Sequence, residues 1–315
     1  CDIVIKLGKR PLVWADIALK YPEAIKLLPK ETIFVDWNYG WDMNKFGDHA
    51  KLMESGFEIW GSPSLRCSPD NYSLTQWEKH FDNIRDFIPA ARKLGYKGMI
   101  MTSWSTSGLY SMVNETNTDL VDLYAIRHVY PLTGFNLLLA AYTEGINSQH
   151  PLDIHQFITE YCNTTYGFNK AQSAAFWNAL KAAPYEVNAG KVVNKPGLSL
   201  QGLLDSARLS AKEFHELKPL KNRNEFEQYR LMADIRVQYL AFQNIEKQVN
   251  EASFTISQIP FVLKQLEDLM AKDEGLSRRF TALNKGYYHP SEIEAENQLR
   301  KARIQLLYDR LSRRK

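Results

Sequence analysis

The sequence predicts an α/β fold over residues 1–150 and an all-helical domain over residues 151–315. Two observations carry that reading. Four short apolar runs fall within the first 104 residues, with helix patterns and short links between them. Strand signals then fade, and long amphipathic patterns take over. Strand and helix in alternation with short links is the signature of βαβ units, and hence of a parallel sheet.

The four runs are 11–15 (PLVWA), 32–37 (TIFVDW), 57–61 (FEIWG) and 98–104 (GMIMTSW). Each is continuous rather than alternating and rich in β-branched or aromatic residues, as a strand covered on both faces should be. Helix patterns occupy 16–28, 48–55 and 75–94, and after the fourth strand 119–128 and 132–142. In the second half they occupy 154–166, 170–182, 199–217, 223–250, 258–272 and 291–313, punctuated by prolines such as Pro151, Pro184, Pro219 and Pro290. Tyr229, Met232, Ile235, Tyr239 and Phe242 recur at helical spacing and read as core.

Composition narrows the function classes. With 315 residues, 44% of them hydrophobic, the chain can bury two cores. A net charge of +3 argues for neither a nucleic-acid partner nor an anionic membrane. No apolar run approaches the roughly 20 residues of a membrane span. Cys1, Cys67 and Cys162 are odd in number and widely spaced, so free thiols are expected. The histidines show no metal spacing, and dinucleotide, phosphate-loop and serine-nucleophile motifs are missing, so neither metal nor cofactor is expected. The chain opens on Cys1 with ordinary amphipathic sequence. More polypeptide is expected upstream, and the compartment, periplasmic or cytoplasmic, stays open.

Aromatic placement is the informative feature. Six of the seven tryptophans (Trp14, Trp37, Trp41, Trp60, Trp77 and Trp104) lie in the first 104 residues. Trp14, Trp37 and Trp104 fall at carboxyl ends of strands and Trp60 near one, where α/β folds place their ligands. The loops there are polar and aromatic, as in Asn38-Tyr39-Gly40-Trp41-Asp42. Flat rings with a polar rim suit a pyranose, whose C–H face stacks on an aromatic while its hydroxyls need donors and acceptors. Trp77, inside a helix, reads as core. Asp36 precedes Trp37 within its strand, so alternation turns it away from the cleft. Asp42 and Asp70 read as turn carboxylates, and Arg66 and Cys67, on the loop near the mouth, read as structural rather than ligand-lining residues.

The blocks GKRPLVWADIALKYPE (8–23), FVDWNYGWD (34–42) and GYKGMIMTSWSTSG (95–108) resemble glycoside hydrolase family 20, the β-N-acetylhexosaminidases, closest to the hexosaminidase D-like branch. The resemblance covers residues 1–145. It implies that the four strands are strands five to eight of a (β/α)8 TIM barrel, with residues 151–315 as a helical accessory domain. It also implies retaining hydrolysis of terminal β-linked N-acetylglucosamine or N-acetylgalactosamine, assisted by the substrate's own acetamide. Carried over residue by residue, Trp14, Asp16, Trp37 and Trp104 bind the sugar, and Tyr39 stabilises the acetamide or oxazolinium. Trp41 and Trp60 are added to the sugar-binding set from their place near the strand ends. The family's Asp–Glu acid pair lies in a His-x-Gly-Gly-Asp-Glu-type segment that this sequence lacks. The general acid is therefore expected upstream, and the missing barrel half in cis or on another chain. At position 106, where many members carry a glutamate, this sequence has Thr106. The rival expectation is a non-catalytic carbohydrate-binding or interaction protein with a degenerate barrel.

Overall fold

A computed structural model describes residues 1–40, 49–67, 75–103, 132–182, 187–188, 191–192 and 199–314. The fold is mixed α/β, mostly helical, with a small parallel sheet. The chain forms two compact units. One gathers Cys1–Cys67, Trp77–Trp104 and Phe135–Phe157, and the other is built mainly on Ile158–Lys315.

The strands are β1 (Leu12–Trp14), β2 (Ile33–Trp37), β3 (Glu58–Ser62), β4 (Ser64–Arg66), β5 (Gly98–Met99) and β6 (Thr102–Ser103). β1, β2, β3 and β5 pair in parallel and in chain order, and β4 pairs with β6. The expected single strand at 98–104 is thus two pieces, and β3 is followed by a second segment. The break comes at Pro63, which has no N–H to give to a ladder. Its carbonyl accepts from Thr102 N at 3.2 Å, while Gly61 O takes Ile100 N at 2.8 Å.

Helices α1 (Asp2–Lys6), α2 (Ala15–Lys20), α3 (His49–Glu54), α4 (Trp77–Leu94) and α5 (Leu132–Asn147) complete the first part of the chain. The expected helix 16–28 stops at Tyr21 and resumes as a 3-10 turn, Pro22–Leu27. The residue before a proline is pushed out of the α region, and Tyr21 sits at φ −129°, ψ 74°. One face of the sheet packs on these helices: Val13, Phe34, Ile59 and Met99 meet Ala18 and Leu19 of α2, Leu52 of α3, and Phe87 and Ala91 of α4. Burying such side chains contributes about 1.5–3 kcal/mol each. Gly145 lets α5 approach α4, since a Cβ there would sit 3.1 Å from Ile84 Cγ2. Trp77 is buried, as a core residue should be.

The helical unit contains α6 from Ile158 onward (Ile154–Tyr166 overall), α7 (Lys170–Lys181), α8 (Leu200–Glu216), α9 (Arg223–Asn250), α10 (Ile259–Asn284) and α11 (Pro290–Ser312), with a short hairpin of β7 (Val187–Asn188) and β8 (Lys191–Val192). Asn169 and Gln172 form a capping box at the start of α7. α10 runs twelve residues past the expected end at Lys272. Asp273 and Gly275 look like terminators, but the Asp273 carboxylate accepts from Arg300 Nε at 2.6 Å, Gln238 Nε2 at 2.9 Å and Ser277 Oγ at 3.0 Å. It is a satisfied buried acceptor within a helix. Among the described residues, no helix is long and apolar enough to cross a membrane.

Candidate functional site

Because side chains alternate along a strand, the face of the sheet opposite the α2–α4 core carries Leu12, Trp14, Ile33, Val35, Trp37, Glu58, Trp60, Ser62 and Gly98. Register sorts them into rows. Trp14, Val35, Trp60 and Gly98 stand side by side across β1, β2, β3 and β5. Two residues further on, about 7 Å toward the carboxyl ends, Trp37 stands beside Ser62.

At those carboxyl ends a compact polar and aromatic group assembles. The rings of Trp37 and Tyr39 lie 5.0 Å apart, tilted by 43°. Thr102 Oγ1 lies 3.3 Å from the Tyr39 hydroxyl, 3.1 Å from the Pro63 carbonyl and 3.5 Å from Ser62 Oγ. A threonine has one proton to give and a carbonyl can only accept, so Thr102 can serve Pro63 and still accept from Tyr39. Tyr39 is buried and its hydroxyl is held within this group. Asn83 of α4 fixes the loop behind it: its Nδ2 donates to Asn38 O at 2.9 Å and its Oδ1 accepts from Ser64 N at 3.3 Å. Lys79 Nζ donates to Cys67 Sγ at 3.3 Å, and its stem packs beside Gly40.

Of the residues singled out from sequence, Trp14, Trp37, Tyr39 and Trp60 share this face or its upper rim. Trp14 is 41% exposed; Trp37 and Trp60 are half-buried. Asp16 lies in the first turn of α2, where a carboxylate also complements the helix dipole. Trp41 and Trp104 lie outside the described residues, as do Asp42, Asp70 and Thr106. The three cysteines are free, Cys67 and Cys162 being buried. Among the described residues, no group of three or more His, Cys, Asp or Glu side chains converges as a metal site would require.

Two carboxylates near the face are fully accounted for. Asp36 points into the helix-side core, where it is 2% exposed, accepts from Tyr96 OH at 2.7 Å and lies 3.1 Å from His49 Nε2. Burial first, and then the Asp36 charge, push the Tyr96 hydroxyl far above its ordinary pKa, so it stays a donor. Glu58 accepts from the Trp60 indole N–H at 2.7 Å and from Arg10 Nη1 at 2.8 Å. Those two bonds, the indole's first, hold its carboxyl below its ordinary pKa. Sequence reasoning missed Ser62, Asn83 and Thr102. For Asn83 there is a signal: it interrupts the buried stripe of α4 made by His80, Ile84, Phe87 and Ile88.

Comparison of the sequence with protein-family models and with curated proteins finds no match. Among solved structures the chain is similar to a GH138 enzyme targeting pectin rhamnogalacturonan II, with a TM-score of 0.48 and 11% identity. The match covers 97% of this chain and 58% of that one, so the chain spans under two thirds of its structural neighbour.

Proposed function

We propose that this chain contributes the sugar-binding part of a (β/α)-barrel glycosidase of the family 20 type, acting on terminal β-linked N-acetylhexosamine. The observation that carries the reading is the cluster at the carboxyl ends of the parallel strands. Trp37 lies tilted against Tyr39, Thr102 sets a hydroxyl beside them with Ser62 buried behind it, and Trp14 and Trp60 line the row below on the same face. Aromatic faces take the apolar side of a pyranose, and the hydroxyls meet its polar rim. Parallel strands in chain order, without a switch point, are also what successive strands of a barrel require. In this reading residues 1–150 form the barrel portion and residues 151–315 the accessory helical domain, and Tyr39 is the group that meets the acetamide or oxazolinium oxygen.

One observation favours the binding-only rival. The strand carboxylate nearest the cluster, Asp36, faces the other way, and Glu58 is occupied by Trp60 and Arg10. The described strand ends thus offer neither as a general acid, and substrate-assisted hydrolysis still needs one. The test is release of p-nitrophenol from p-nitrophenyl N-acetyl-β-glucosaminide, run on this chain and on a polypeptide that also carries the family's acid-pair segment. Turnover only in the latter, abolished by Trp37→Ala, is expected. Binding of N-acetylglucosamine without turnover in either supports the binding-only reading, and the absence of both overturns the carbohydrate assignment.

A further inference from the structure

We infer that Trp60 is a rigid stacking platform for a sugar ring, laid flat on the sheet by Gly98 and locked there by the Glu58–Arg10 pair. The inference rests on the carbohydrate reading above and adds Gly98, Glu58 and Arg10 to it as positioning residues.

Gly98 stands directly opposite Trp60 on the neighbouring parallel strand. A Cβ at Gly98 would lie 2.7 Å from Trp60 Cδ2, 2.8 Å from Cε2 and 3.0 Å from Cγ. Cδ2 is a ring-fusion atom bonded to both of the others, so a point that close to all three sits over the face of the indole, not at its edge. The ring therefore lies on the Gly98 backbone with its plane along the sheet, and its opposite face turns away from the sheet. Backbone conformation does not explain the glycine, because Gly98 is not among the positive-φ residues. Space for the ring does. Any larger residue at this position would fill the volume that the indole occupies, and the clash would fall on rigid ring atoms rather than on a flexible chain end.

A second set of contacts fixes the ring within its plane. The indole N–H donates to Glu58 Oε1 at 2.7 Å, and Glu58 Oε2 accepts from Arg10 Nη1 at 2.8 Å. Arg10 is itself anchored through Nε to the Glu31 carbonyl at 3.1 Å. Glu58 and Trp60 are two residues apart on one strand, so both project from the same face and the bond needs no distortion. The polar edge of the indole is thereby satisfied within the protein, and in this proposal the ring face turned away from the sheet takes the C–H side of a pyranose. Trp60 is only half-buried, whereas its strand neighbours Ile59 and Gly61 belong to the packed face. The clearance under the ring and the hydrogen bond at its edge both serve a platform, because a ring already fixed in place loses little freedom when the ligand arrives.

Fluorine NMR of the chain labelled with 5-fluorotryptophan tests this, with the Trp60 resonance identified by its loss in Trp60→Phe. Titration of the wild type with N-acetylglucosamine is expected to move the Trp60 line together with the Trp37 line. Gly98→Ala is expected to displace the Trp60 line in the free protein and to weaken binding roughly tenfold, the scale of one lost aromatic stacking contact. Glu58→Leu is expected to do the same, and Glu58→Gln, which keeps an oxygen for the indole N–H, to recover most of the loss. Far-ultraviolet circular dichroism checks that each variant folds, and Glu58→Leu decides the matter if Gly98→Ala does not. A Trp37 line that responds to sugar beside an unresponsive Trp60 line leaves the carbohydrate reading standing and overturns the platform. Unchanged affinity in both Gly98→Ala and Glu58→Leu overturns it as well. If no tryptophan line moves in the wild type, the carbohydrate reading itself fails, and the platform with it.

Discussion

In the helical unit Tyr166, Phe168, Phe176, Phe226 and Tyr229 are each at most 1% exposed, and they meet one another mostly edge to face or tilted at 5.0–6.4 Å. In the sheet unit Trp14 keeps 41% of its surface, and Trp37 and Trp60 are half-buried beside hydroxyls and a carboxylate. The polar atoms of these rings find partners within the protein in both units. The Tyr229 hydroxyl is spent on the Thr133 carbonyl at 3.1 Å and that of Tyr166 on Glu225 at 3.0 Å, both inside the helical unit. The same residue class thus builds a core in one unit and a presented face in the other. Burial separates the two roles, where residue type alone does not.

That contrast can be broken experimentally. Phe226→Ala should cost about 3–5 kcal/mol of stability, as large-to-small changes in aromatic cores do, and lower the midpoint of denaturant unfolding without altering sugar affinity in the folded protein. Asp36→Leu should cost about 1–3 kcal/mol, the penalty for leaving the buried Tyr96 hydroxyl without its acceptor. Sugar binding should survive there too, since Asp36 faces the helices. Trp37→Ala should cost the least stability, under about 2 kcal/mol for a half-buried side chain. Calorimetric titration should nevertheless show its sugar binding reduced at least roughly tenfold.

Alkaline pH sharpens the comparison further. Burial pushes the Cys162 thiol from an ordinary 9.0 up to about 12. The folded chain therefore keeps a proton that the unfolded chain releases. Stability from this group is complete below pH 9.0 and is lost as pH rises toward about 12. Unfolding followed across that window should show a shallower loss in Cys162→Ala. An identical slope in the variant would mean that the thiol is not buried as described.

The first three sheet strands are legible in the sequence to within a residue or two, because continuous runs such as FVDW need cover on both faces. The strand expected at 98–104, by contrast, is two pieces, and the segment Ser64–Arg66 is not expected from the sequence. Alternation correctly turns Asp36 away from Trp37, since that needs only the period of a strand. Helix ends are less legible. Asp273 and Gly275 look like a stop until Arg300 of the next helix is seen to satisfy the carboxylate. Long-range partners are not legible at all. That Gly98 lies under Trp60, or that Thr102 reaches Tyr39, depends on strand register, which no local pattern encodes.

The most direct test of the central claim, that the face bearing Trp14, Trp37 and Trp60 is a sugar-binding surface, is a side-by-side titration of this chain with N-acetylglucosamine and glucose, read by tryptophan fluorescence. The account predicts saturable quenching by N-acetylglucosamine, at least roughly tenfold weaker binding of glucose for want of the acetamide, and loss of the response in Trp37→Ala. Equal affinity for the two sugars would contradict the N-acetylhexosamine assignment. No response to either would contradict the claim itself.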